Sequence, residues 1–150
     1  MGRVAVLFSL CLFAGLTLAE GQDIPLSRFM GTWVGFQTWA IENGPANAKT
    51  PQPVQLEVQL VDGKLVGVMT PFFGGSDGAN FADGRVVGEG LQASGTMGGR
   101  RTGWKATVKI NFDFKVTADR NQLVGTADVL MGDVKWTKFH YELSKKRSRY

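Results

Sequence analysis

The sequence predicts an all-β fold, a single antiparallel up-and-down barrel of about eight strands. Three observations carry this. Apolar and polar residues alternate with period two through residues 54–60 and 104–116, as in strands with one buried face. Turn pairs such as Asp62-Gly63 and Gly132-Asp133 separate such runs at short intervals. No segment of the body sustains apolar spacing at the helical period, and 20 glycines in 150 residues disfavour long helices.

The chain opens on an expected export signal. Met1-Gly2-Arg3 is a short positive start, and residues 4–18 are apolar except for Ser9, Gly15 and Thr17. That run is short for a bilayer span and lacks a charged stop-transfer flank. Thr17-Leu18-Ala19 offers small residues where a signal peptidase reads, so cleavage is expected after Ala19, with Ala19-Glu20-Gly21 as the near alternative. A secreted or periplasmic location follows. The sole cysteine, Cys11, lies inside the signal, so the mature chain has no disulfide and no thiolate. An exported domain of this kind is held by its core alone, which fits a bacterial protein better than a eukaryotic one.

Removing Arg3 with the signal leaves 16 basic and 13 acidic residues, a net charge of +3. Much of the excess sits in Lys145-Lys146-Arg147-Ser148-Arg149, read as a solvated end. The rest of the domain is near neutral, so nucleic-acid binding is not expected. The organisation is therefore a signal over residues 1–19, a lead-in over 20–29, a barrel over 30–146 and a basic tail over 147–150.

Within the barrel, Pro25-Leu26-Ser27-Arg28-Phe29 forms one short helical turn before a first strand at residues 32–41. Asn43-Gly44-Pro45 ends that strand, and 46–53 is a loop. The second strand, 54–61, sets Val54, Leu56, Val58 and Leu60 against Gln55, Glu57 and Gln59. Asp62-Gly63 turns it into a third, 64–70. A loop then begins at Pro71, with Phe72 and Phe73 at its root. A fourth strand is expected at 85–90 after an Asp83-Gly84 turn, a fifth at 91–97, and a Gly/Arg connector at 98–103.

The sixth strand, 104–116, aligns Trp104, Ala106, Val108, Ile110, Phe112, Phe114 and Val116 on one face. A turn at 118–121 leads to a seventh strand, 122–131, and Gly132-Asp133 leads to an eighth, 134–144. Short connections make sequence neighbours spatial neighbours. Closing the first strand on the eighth removes both exposed edges. A sandwich would need longer crossovers, which only 42–53 and 71–84 supply.

Gly31-Thr32-Trp33 resembles the Gly-x-Trp that opens the first strand of calycins, the group of lipocalins, fatty-acid-binding proteins and avidins. The ending Phe139-His140-Tyr141-Glu142-Leu143-Ser144-Lys145-Lys146-Arg147 also resembles a calycin last strand, apolar alternation followed by a basic residue. The resemblance implies a barrel closed at one end by Trp33. The chain departs from each named subfamily. It has neither the helix nor the disulfide of classical lipocalins. Thr102-Gly103-Trp104-Lys105 is similar to an avidin strand, but Gly35 stands where avidins place a polar biotin contact, and biotin binding is not expected. The pattern as a whole resembles lipocalin-like secreted domains of bacteria.

Candidate chemistry is sparse. The one histidine, His140, shares a face with Lys138 and Glu142 and is expected at the surface. With no cysteine in the mature chain, it cannot build a His- or Cys-rich metal centre, and neither metal nor cofactor is expected. Asp77-Gly78 has too few ligands for calcium. Gly74-Gly75 and Gly98-Gly99 lack the Lys-Ser/Thr of a phosphate cradle. Asp128 is the only catalytic candidate. Facing inward it would be a buried carboxylate suited to acid–base work, and facing outward it is an ordinary surface acid.

Aromatic residues are plentiful, and an eight-stranded barrel is either filled by side chains or holds one small ligand. Gly67, Gly88, Gly125 and Ala127 favour a cavity. Its expected lining is Trp39, Trp104, Val108, Phe112, Trp136 and Tyr141, with Phe72 and Phe73 as a lid. The leading expectation is a small apolar or aromatic molecule bound in the barrel interior of a secreted lipocalin-like protein. The alternatives are a small barrel enzyme of cyclase, isomerase or hydrolase type using an inward carboxylate, and a module that meets a protein partner through residues 71–84 and 98–103. Neither a nucleic-acid partner nor an integral membrane segment in the mature chain is expected.

Overall fold

A computed structural model describes residues 25–40, 50–71, 78–98, 108–119 and 121–147. The export signal and its cleavage site, Phe72, Phe73 and Trp104 lie outside the described residues. Eight strands are present: β1 (Gly31–Trp39), β2 (Gln52–Val61), β3 (Lys64–Thr70), β4 (Gly78–Val87), β5 (Gly90–Gly98), β6 (Val108–Val116), β7 (Gln122–Met131) and β8 (Val134–Lys145). They form one closed barrel in sequence order. Every neighbouring pair is antiparallel, and β1 closes on β8 from Trp33↔Lys145 to Trp39↔Phe139. The up-and-down barrel read from the sequence is the observed fold, and it is consistent with a calycin-like architecture.

The strands differ from expectation chiefly at β4. Residues 78–84 are strand, and the turn lies at Gly88-Glu89, where Gly88 adopts φ +59°. Residues 78–84 hold four small residues, Gly78, Ala79, Ala82 and Gly84, and one large apolar one, Phe81, so alternation is faint. β-Bulges also interrupt the pairing of β4 with both β3 and β5. Gly84 is required because a Cβ there would come within 2.9 Å of the Leu65 carbonyl oxygen.

One end of the barrel is plugged. A single 3-10 turn, Leu26–Arg28, delivers Phe29 into the core, and Trp33 lies fully buried beside it. The Trp33 indole Nε1 donates to the Phe29 carbonyl at 2.8 Å, satisfying the one polar atom of a buried ring. Lys145, the basic residue ending β8, carries its Nζ 5.2 Å from the Trp33 ring centroid, within cation–π range. Leu65, Leu91, Phe114, Leu123 and Leu143 complete the core around this end.

The small residues do not open a void along the barrel wall. A Cβ on Gly67 would fall 2.2 Å from Phe81 Cζ, and one on Gly125 would fall 2.6 Å from Phe114 Cδ1. Gly88 sits in a turn, and Ala127 is fully buried in the core. The glycines thus make room for neighbouring phenylalanines. Their rings form a connected chain: Phe81–Phe112 at 5.6 Å, Phe112–Phe114 at 5.7 Å and Phe114–Tyr141 at 5.7 Å between centroids.

Candidate functional site

The two ends of the barrel are built differently. Tight turns at Asp62-Gly63 and Gly88-Glu89 and the connection 117–121 lie at the plugged end. The longer connections, 40–51, 71–77 and 99–107, leave from the opposite end, called the open end because the described residues place the Phe29–Trp33 plug only at the other. The inward faces of β1 and β8 approach that end with Gln37 and Trp39, and with Thr137, Phe139 and Tyr141.

Here the interior changes character. Gln37, 2% exposed, and Thr137, 4% exposed, are the buried polar residues of the described chain. The Tyr141 hydroxyl donates to Gln37 Oε1 at 3.3 Å, and Gln37 Nε2 donates to Gln52 Oε1 at 3.3 Å. The Trp39 indole donates to Thr137 Oγ1. Burial holds the Tyr141 phenol protonated well above its ordinary range, so it is a neutral hydroxyl. Trp39 stacks on Phe139 at 6.0 Å and lies 6.1 Å from Trp136. The result is a small polar group set among aromatic rings inside an otherwise apolar barrel.

The residues expected to line a ligand site fall in three groups. Trp39, Trp136 and Tyr141 come together with the polar group at the open end. Val108 and Phe112 are buried in the core of β6, and Phe112 reaches Tyr141 only through Phe114. Trp104, Phe72 and Phe73 lie outside the described residues. Trp136 occupies the extra position of a β-bulge, since Val129 pairs with Thr137 and Leu130 with Lys135. That bulge leaves Trp136 37% exposed at the rim.

Asp128 points to the outer wall. Its carboxylate pairs with Lys135 Nζ at 2.8 Å and with Lys138 Nζ at 3.7 Å, and it borders a polar surface cleft with Asn111 and Thr126. It is not an interior acid. His140 is exposed on the same outer face of β8 as Lys138 and Glu142. Among the described residues no three His, Cys, Asp or Glu side chains gather to hold a metal ion. Nor, among them, is any helix long and apolar enough to cross a membrane.

Gln37 and Thr137 were not among the sequence candidates. For Gln37 the signal exists: Trp33, Gly35, Gln37 and Trp39 alternate on the inward face of β1, so a polar residue stands in a core phase. For Thr137 the bulge hides it, because strict alternation does not survive the extra residue. No family model matches the chain, and no curated protein or solved structure matches it.

Proposed function

We propose that this is a secreted or periplasmic, non-enzymatic lipocalin-like protein that binds a small apolar or aromatic molecule in its barrel, at the open end. The observation that carries the reading is the Gln37–Tyr141 pair. Burying polar groups in a core costs free energy unless they are well hydrogen-bonded. These two are held by bonds of 3.3 Å, longer than the roughly 2.7–3.0 Å of well-formed ones. A few polar groups within aromatic walls is also the usual composition of a small-molecule site. The location rests on the expected export signal. The outward, lysine-paired Asp128 weighs against the enzymatic alternative with Asp128 as its inward carboxylate.

The test is intrinsic tryptophan fluorescence of the mature protein titrated with a panel of neutral aromatic compounds. A saturable change at one molecule per chain is expected, weakened in Gln37→Leu and unchanged in Asp128→Asn. No response to any compound would overturn the reading.

A further inference from the structure

The inward faces of the described strands carry no charge. Trp33, Gln37 and Trp39 of β1 point in, as do Val54, Leu56 and Val58 of β2, and Leu65 and Met69 of β3. β4 to β8 continue the pattern, and among the described residues the buried polar ones are the uncharged Gln37 and Thr137. The charged residues of the strands lie on the outer wall, with Glu57, Lys64, Asp113, Lys115 and Glu142 exposed and Asp128 and Lys138 half-buried there. The segregation has a consequence for what the barrel can hold. A charged group moved from water into such an interior loses its hydration and gains no counter-ion from the described strands, a loss that decides affinity.

The polar group narrows the chemistry further. The Tyr141 proton is committed to Gln37 Oε1 and one Gln37 amide proton to Gln52. A Gln amide has two N–H donors and a phenol oxygen keeps acceptor capacity, so the second Gln37 N–H and the Tyr141 oxygen lone pairs are not used by these two bonds. We infer that the open-end site selects an uncharged ligand, an aromatic or alicyclic body with one hydrogen-bonding group that meets Gln37 and Tyr141, and rejects carboxylates, sulfonates and ammonium compounds of the same shape. The inference rests on the barrel-binding reading above.

Two probes with one skeleton test it. N-phenyl-1-naphthylamine is neutral and carries a single N–H; 8-anilinonaphthalene-1-sulfonate adds only an anionic sulfonate. The neutral probe is expected to bind the mature protein at one per chain with enhanced fluorescence. The sulfonate is expected to compete at least about a hundredfold more weakly, as an uncompensated buried charge requires. Lys49, Arg100, Arg101 and Lys105 lie outside the described residues, so the sulfonate also reads whether any of them serves the site.

Binding of the neutral probe is expected to weaken about tenfold in Tyr141→Phe, which removes the oxygen that accepts from the probe N–H in a dry site. Gln37→Leu, which removes the amide that accepts the Tyr141 proton, serves as the second variant where Tyr141→Phe does not fold. Competition by the sulfonate within about tenfold of the neutral probe would overturn the selectivity while leaving the barrel reading intact. Wild-type affinity in both variants would overturn the assignment to Gln37 and Tyr141. Failure of both probes to bind would count against the barrel reading itself.

Discussion

Tyr141 joins the ring chain of the core to the polar group at the open end, and its chemistry makes two predictions. Its hydroxyl is the partner of a buried amide oxygen, so Tyr141→Phe leaves Gln37 Oε1 without that donor. A loss of about 1 kcal/mol in urea unfolding is expected. The second prediction concerns alkaline pH. Burial raises the folded-state pKa of Tyr141 above its ordinary value of 10.0, so the folded chain keeps a proton that the unfolded chain releases. The stability from this group is complete below about pH 10 and is lost as pH rises above it. Urea midpoints measured from pH 8 to 11 are expected to fall at the alkaline end in the wild type and to fall less in Tyr141→Phe. An identical slope in both would show that Tyr141 is not the group responsible. Asp128 behaves oppositely: its pair with Lys135 is half-exposed, so Asp128→Asn is expected to change stability by less than about 1 kcal/mol, and less still at high salt.

Strands were legible where alternation was strong and opaque where small residues replaced large ones. β3 and β7 have the bounds read from the sequence, because Asp62-Gly63 and Gly132-Asp133 mark their turns. The first part of β4, residues 78–84, reads as loop because its inward positions are mostly small, and their meaning lies in a partner strand. Gly67 on β3 is the space that Phe81 on β4 fills, a relation that one strand alone does not display. Gly67→Ala drives a methyl into that ring and is expected to cost about 1–3 kcal/mol, measured by chemical denaturation. A neutral outcome would mean that Phe81 is free to move aside. At the plugged end the Gly-x-Trp reading placed Trp33 as the closure, and the structure adds what holds it, Phe29 and Lys145. Trp33→Ala empties a fully buried indole site and is expected to cost about 3–5 kcal/mol.

At the scale of the whole molecule the described barrel divides into a plugged half and an opposite half of different composition. The plugged half is apolar, ring-filled and wrapped by tight turns, which suits a disulfide-free chain that depends on its core. The opposite half carries the buried amide and hydroxyls and the part-buried Trp39 indole, and the longer connections leave from it. Strand number and closure were legible because edges and short turns leave few other solutions. Of the proposed site, the aromatic residues Trp39, Trp136 and Tyr141 are visible in the sequence and lie near one another in the fold, whereas Gln37 is a polar residue in a core phase, which apolar alternation alone does not display. Internal space was not legible, since the room left at Gly67 and Gly125 is filled by Phe81 and Phe114 and Gly88 sits in a turn.

Ligand carriage at the open end is tested most directly by native mass spectrometry of the mature protein purified from its own host under non-denaturing conditions. The expected result is a stoichiometric adduct, an uncharged small molecule released intact on denaturation, in the wild type and diminished in Gln37→Leu. A clean apo mass, with no tryptophan response to neutral aromatic compounds, would contradict carriage and leave a filled barrel acting through its outer surface.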